Sequence, residues 1–521
     1  MRKYILLPLA IFLMSYLPAS AQRKEKGTPV ITNVAVASTP DHFNYQRSQS
    51  VETTGTVNVE GQTIGYTAKT GTLVLRNAVD TPMIAMSYTA YFKNGVDKSS
   101  RPITFLYNGG PGSSTIWLHI GCFGPQKVFI NEAGRTQPPF KTVNNDYSLL
   151  DASDLVFIDA PGTGFGEVIT KARGGAGQGK DYFGIDQDGR AFTDFIEKFL
   201  TVNDRWNSPK YLFGESYGTF RSAVVSRMLQ GRGISLNSVI LLSQLLTYSN
   251  MSELASSNVG SDLPYVLLLP SMTATAWYHH KLPNQPADMK SLLKEVEKFA
   301  LTDYTLALAQ GAQLDDATFH AIAKKLHDYT GLDQALIEKG NLRISGPVFE
   351  KNLLGDSSQV TGRLDSRFAG DDFDPLSGTP GYDPMNSYIS PAFTAAFNGY
   401  MRDQLQFGKD LKYKTSGNVM PWDFKRAGYV GFPNVMNDLA QAMIYNPDMK
   451  VMLNSGYFDL GTPYFEGIYE MQHLPMPKAL QKNIEYKHYV SGHMVYLHQE
   501  SLKELHDNVK DFIIRTLKTG K

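Results

Sequence analysis

From residue 101 onward the chain returns repeatedly to one pattern, a short and largely apolar run that stops at a glycine-rich turn. Ile103-Thr104-Phe105-Leu106-Tyr107 stops at Asn108-Gly109-Gly110-Pro111-Gly112, Leu155-Val156-Phe157-Ile158 stops at Asp159 and Gly162-Thr163-Gly164, and Tyr211-Leu212-Phe213 stops at Gly214. A fourth run, Ser238 to Leu242, follows a helical stretch. Between the runs, Arg190 to Leu200 and Tyr217 to Gln230 carry helical spacing. Strands without polar alternation have no face to give to water, so this rhythm predicts a mostly parallel sheet with helices on both faces. In such sheets ligands bind beyond the carboxyl ends of the strands, where the glycine turns fall here.

The flanking segments fit around this core. Thr56 to Val59, a Glu60-Gly61 turn, Gln62 to Ala68, Thr72 to Arg76 and Met83 to Tyr88 predict an antiparallel meander that opens the domain. Residues 250 to 430 break the rhythm: Lys290 to Ala300 and Asp316 to Tyr329 have helical spacing, Trp277-Tyr278-His279-His280 reads as an aromatic helix packed on the core, and 370 to 384 reads as loop. Strands return at Met449 to Leu453 and Ile484 to Val490, followed by a helix from Glu500 to Leu517. A chain of 521 residues accommodates one large domain with an insertion. The expected division is 22–249 and 431–521 for the two parts of the core, with 250–430 an inserted, largely helical cap.

Gly214-Glu215-Ser216-Tyr217-Gly218 has the form Gly-x-Ser-x-Gly. A turn from strand to helix tight enough to expose a serine Oγ leaves no room for side chains at its flanks. Chance alone supplies such a pattern in about one chain of this length in six, at roughly 7% each of Gly and Ser, so context decides. An apolar strand precedes Ser216 and a helical stretch follows it, as the elbow requires. A serine nucleophile needs a base, and the base an orienting carboxylate. Asp459 follows one late strand and His493 the next, in the order Ser, acid, His that this fold uses. His488, His498 and His506 are rivals that order and strand-end placement disfavour. An oxyanion hole needs two N–H groups; one belongs to Tyr217, after the nucleophile, and the other to the loop beginning at Asn108. Together these features predict an α/β-hydrolase fold.

Four blocks then resemble, in order, the signatures of the serine carboxypeptidase family: Asn108-Gly109-Gly110-Pro111-Gly112-Ser113-Ser114, Asp159-Ala160-Pro161-Gly162-Thr163-Gly164-Phe165, Gly214-Glu215-Ser216-Tyr217-Gly218 and Gly492-His493-Met494-Val495. The resemblance implies an acyl-enzyme mechanism, with Ser216, Asp459 and His493 as the triad, that releases amino acids from the C-termini of peptides or proteins, favoured at acidic pH. It assigns the oxyanion donors to Gly110 and Tyr217, and the substrate's terminal carboxylate to Asn108, Gly109 and Glu215. Physics supports the acid preference, because two carboxyl groups side by side are tolerated only when they share a proton. Two departures stand out. The family's eukaryotic members place a Cys after Pro-Gly where this chain has Ser113, and they place a second Glu downstream where this chain has Cys122. A different ester hydrolase or acyltransferase on the same scaffold, or a catalytically silent binding protein, are the alternative readings. An ester without a free carboxylate has no use for Glu215 and Asn108.

The N-terminus reads as an export signal, with Arg2 and Lys3, then Tyr4 to Leu17 largely apolar, then Ala19-Ser20-Ala21. Residues 1–21 are the expected signal peptide, cleaved near Ala21-Gln22, and the mature chain is expected in a periplasm or secreted, without stable membrane insertion. Cys122 is the only cysteine, which with export fits a bacterial branch of the family. Lys plus Arg and Asp plus Glu balance at 50 each, giving no electrostatic reason to expect a nucleic acid partner. No metal or cofactor is expected: Asp371-Asp372-Phe373-Asp374 lacks the further spacing of a calcium loop, and no zinc or phosphate motif occurs. The oligomeric state, monomer or homodimer, is left open.

Overall fold

The computed structural model describes residues 43–518, apart from 133, 356, 357 and 427. The expected signal peptide and its cleavage point lie outside the described residues. The opening meander is β1 (Gln49–Val59), β2 (Gln62–Arg76) and β3 (Pro82–Lys93), paired antiparallel. The first hairpin turns on Glu60 and Gly61, both at positive φ (47° and 86°), a two-residue turn whose twist suits the flanking strands. The sequence pattern divides β2 in two near Gly71, yet the strand is continuous. A Cβ at Gly71 would stand 2.0 Å from Gln49 O, so this glycine marks close approach of the neighbouring strand rather than a break.

Six strands continue the main path of the same sheet, β4 (Ile103–Tyr107), β5 (Asp154–Ile158), β6 (Lys210–Glu215), β7 (Ser238–Leu242), β8 (Lys450–Gly456) and β9 (Ile484–Tyr489), and a two-residue strand, Glu167–Val168, pairs with β3 beside it. The spatial order is β1-β2-β3-β5-β4-β6-β7-β8-β9, and every pair from β5 to β9 is parallel. This is the α/β-hydrolase sheet. All residues of β4, β5, β6 and β7 are buried, as expected of strands covered on both sides. The helices are α1 (Ile185–Val202), α2 (Tyr217–Gly231), α3 (Leu263–Tyr278), α4 (Met289–Phe299), α5 (Asp316–Thr330), α6 (Pro384–Asp403), α7 (Met436–Tyr445), α8 (Tyr464–Gln472) and α9 (Gln499–Lys518), with shorter turns between them. Leu212 of β6 packs in one cluster with Phe192 of α1, Val224 of α2 and Leu439 of α7. Its neighbour Tyr211 points the other way and hydrogen-bonds Thr516 of α9 at 2.9 Å. Alternate residues of one strand therefore anchor opposite helical layers.

Between β7 and β8 the chain forms α3 to α6 and a small hairpin, Gln359–Thr361 with Ala369–Asp371. Leu267, Val296, Leu326 and Phe349 build a second apolar cluster there, which also takes in Phe458, Leu460 and Tyr464 from just beyond β8. The insertion thus shares its core with the segment carrying Asp459. Helix α6 escapes the sequence pattern because Pro391 lies inside it, but Asp383 caps it through Met385 N and Pro384 opens it. Among the described residues no helix is long and apolar enough to cross a membrane.

Candidate active site

Strand β6 delivers Glu215 and Ser216 to the carboxyl edge of the sheet. Ser216 has φ 60° and ψ −130°, a conformation costing a non-glycine residue about 1–3 kcal/mol. Its N–H is held by Leu242 O of the adjacent strand at 2.9 Å. The flanking glycines are obligatory, because a Cβ at Gly214 would lie 2.2 Å from Gly218 O and one at Gly218 2.8 Å from Tyr107 O. Ser216 makes no side-chain capping bond to α2, so its Oγ is not spent on the helix. The loop after β4 closes on the same point, and a Cβ at Gly109 would stand 2.4 Å from Tyr217 N. Only a bare backbone brings the Asn108–Gly112 loop this close to the N–H that follows Ser216. Beneath it Arg221, fully buried, donates to Asn108 O at 2.7 Å and to Asp188 at 2.6 Å.

At the ends of β8 and β9 the predicted acid and base are joined. Asp459 Oδ2 lies 2.7 Å from His493 Nδ1. The carboxylate also accepts from Gly461 N at 2.9 Å, Thr462 N at 3.0 Å and Thr462 Oγ1 at 2.6 Å. Burial works against the imidazolium, and the Asp459 carboxylate more than offsets it, so the His493 pKa is raised. Ser216 stands at the same edge of the sheet, two strands from β8 and three from β9, but its Oγ is not bonded to the imidazole, whose Nδ1 is engaged by Asp459 and Thr462. Such bonds often tighten only when substrate is bound. The rival histidines have other places. His488 is packed beside Tyr464 and pushed down to about 4 by burial, His498 pairs with Ser501, and His506 with Asp151.

Two segments of the insertion frame these loops, which the sequence did not announce. Residues 363 to 367 bind the loops that carry Asp459 and His493: Leu460 N donates to Arg363 O at 3.0 Å, His493 N to Leu364 O at 2.6 Å and Ser366 N to Phe458 O at 3.0 Å. A Cβ at Gly492 would collide with Asp365 at 2.5 Å. Residues 413 to 419 run along the opposite side, where Ser114 N donates to Thr415 O at 3.0 Å and Gly417 N to Gly112 O at 2.8 Å. Val419 packs over Gly112.

Glu215 is 1% exposed. Its Oε2 accepts from Asn108 Nδ2 at 2.9 Å and from the Tyr496 hydroxyl at 2.9 Å, the latter also 3.2 Å from Oε1. Burial raises its pKa to about 7, against the lowering influence of His493, Tyr496 and Asn108. Tyr496 is the site residue that sequence reasoning missed. It sits three positions after His493, and only the fold shows that it turns back toward the elbow. Cys122 is buried, and burial followed by the charge of Glu215 pushes its thiol well up, so it is protonated and unreactive at neutral pH.

Comparison with known proteins bears on what such a site does. The serine carboxypeptidase family model matches residues 77–260, the stretch that holds the Asn108 loop, the elbow and the strands between them. The structure is similar to that of Kex1(delta)p, a prohormone-processing carboxypeptidase from Saccharomyces cerevisiae, with a TM-score of 0.52 and 16% identity over 86% of this chain and 91% of that one. At that identity the likeness concerns the fold. A thermostable carboxyl esterase from Bacillus coagulans matches with a TM-score of 0.35 and 12% identity, over 86% of this chain and 98% of that one. A proline iminopeptidase from Mycobacterium smegmatis matches at 0.33 and 11%, over 90% and 100%. No curated protein matches the chain.

Proposed function

We propose that the protein is a serine carboxypeptidase that releases C-terminal residues from peptides or proteins by way of an acyl-enzyme. The observation that carries this reading is Glu215, a buried carboxyl adjoining the nucleophile and bonded to Asn108. A hydrolase of neutral esters gains nothing from burying an acid there, whereas a substrate ending in a carboxylate can share its proton. In this reading Ser216 Oγ attacks the last peptide carbonyl, His493 accepts its proton and passes it to the leaving amine, and Asp459 holds the imidazole with its proton on Nδ1. Gly110 and Tyr217 N–H groups stabilise the oxyanion, each worth about 3 kcal/mol. Asn108, Gly109 and Glu215 receive the terminal carboxylate.

Acid preference follows from coupling as well as from Glu215 alone. The charge of Glu215 is among the influences raising His493. A proton on Glu215 therefore binds the substrate and at the same time favours the neutral imidazole that catalysis needs. Residues 250–430 act as the cap that shapes the side-chain pockets. Residues 1–21 act as the signal that places the enzyme in a periplasm or outside the cell. The deciding experiment compares a peptide with its C-terminal amide at several pH values. Selective turnover of the free acid, strongest below neutral pH and abolished by Ser216→Ala, is expected. Equal turnover of acid and amide would leave an unspecialised acyl hydrolase.

A further inference from the structure

The hydrogen bonds of Glu215 are unevenly divided between its two oxygens. Oε2 takes both close donors, Asn108 Nδ2 and the Tyr496 hydroxyl at 2.9 Å each, while among the described residues Oε1 has only the longer 3.2 Å contact to the same hydroxyl. Asn108 cannot reverse this by turning over its amide, because its Oδ1 accepts from Leu118 N at 3.1 Å and Nδ2 must remain the donor. A carboxylic acid whose one oxygen already receives two donors carries its proton on the other. We propose that Tyr496 is a positioning residue of the carboxylate subsite: by occupying Oε2 together with Asn108, it directs the Glu215 proton to Oε1, from which it is donated to the terminal carboxylate of a peptide. The proposal rests on the carboxypeptidase reading above and adds the residue that compensates for Cys122. That cysteine stands where the resemblance places a second glutamate, and among the described residues no carboxyl group hydrogen-bonds Glu215.

The groups facing Glu215 are few. His493 and Asp459 act on its charge from the ends of β9 and β8, Tyr496 and Asn108 bond it, and it in turn acts on the Cys122 thiol. Of these only Tyr496 both touches the carboxyl group and lies outside the proposed acid–base and loop machinery. Its hydroxyl is fully buried, and the Glu215 charge is among the influences that push its ionisation up, so it remains a donor across the working pH range.

Tyr496→Phe removes one oxygen and keeps the ring. The expected result for a free-acid peptide at pH 5 is a three- to tenfold rise in KM with kcat changed less than about threefold, the scale of one hydrogen bond. The alkaline limb of kcat/KM should move upward, because a bond that lowers the Glu215 pKa has been lost. Turnover of the C-terminal amide and labelling of Ser216 by a neutral fluorophosphonate should be unchanged. Placing 3-fluorotyrosine at position 496 keeps the bond, strengthens the donor and should move the same limb downward, and this variant also answers the question if the Phe variant does not fold. Unchanged KM and an unchanged limb in both variants, in an enzyme that still distinguishes acid from amide, would overturn the role of Tyr496. A wild-type enzyme that does not distinguish acid from amide would instead remove the underlying carboxypeptidase reading.

Discussion

Asp459→Asn is the most searching test of the acid–base pair, because the four hydrogen bonds to this side chain dictate how the amide must sit. Gly461 N and Thr462 N both point at Oδ1, and Thr462 Oγ1 and His493 Nδ1 both lie at Oδ2. An asparagine keeps its single carbonyl oxygen where two backbone N–H groups demand it. Its NH2 group then faces His493 Nδ1 and Thr462 Oγ1. Threonine adapts by rotating its hydroxyl to accept, but the imidazole must present a lone pair at Nδ1 and move its proton to Nε2. That is the wrong tautomer for a general base toward Ser216. The expected cost is a fall in kcat of about 10³–10⁴, as for loss of the correct tautomer in other triads. Stability should fall by only about 1–2 kcal/mol, since every donor keeps an acceptor except at the imidazole. Peptide turnover at constant pH, the rate of fluorophosphonate labelling and thermal unfolding measured on one preparation separate the two effects. A variant within tenfold of wild type in kcat would refute the reasoning, and a variant that unfolds would refute the assignment of the amide.

Three further outcomes are expected. Gly492→Ala should lower kcat/KM at least tenfold and destabilise the protein by about 1–3 kcal/mol, because the added methyl meets Asp365 at 2.5 Å and displaces the segment bonded to the His493 loop; peptide kinetics and urea unfolding check it. Stability should fall as pH rises from 6.5 to 8. Burial raises Glu350 to about 8 and Glu215 and Glu470 to about 7, so over this range the native state still binds protons that the unfolded chain has already released, and the slope is negative. Those three groups sum to about 3 kcal/mol, roughly half of it from Glu350, and the denaturation midpoint at the two pH values measures it; a higher midpoint at pH 8 would contradict the burial argument. Cys122→Ala should keep near-wild-type activity, and wild-type protein should resist iodoacetamide until unfolded, since the thiol is buried and protonated.

Much of the candidate site was legible because it depends on backbone geometry that leaves a local mark. The elbow shows in the sequence because Gly214 and Gly218 must be bare for a turn whose atoms would otherwise overlap. The inner parallel strands show because each is a short, largely apolar run that stops at a turn, and Asp459 and His493 show because each follows a strand end. Helix α6 and the unbroken β2 were less legible, since Pro391 and Gly71 carry local preferences that tertiary packing overrides.

What the chain determined by itself was therefore the order of the strands and turns, and with it the residues brought to the carboxyl edge of the sheet. What only the tertiary structure decided was how distant segments meet there. Residues 363 to 367 template the Asp459 and His493 loops through backbone bonds that any side chains could make, so no residue type advertises them. Tyr496 reaches Glu215 across 281 positions of sequence, and its role depends on which of two carboxyl oxygens it touches. That choice belongs to the packing of β6 against the turn after His493, a relation in space that sequence pattern does not record.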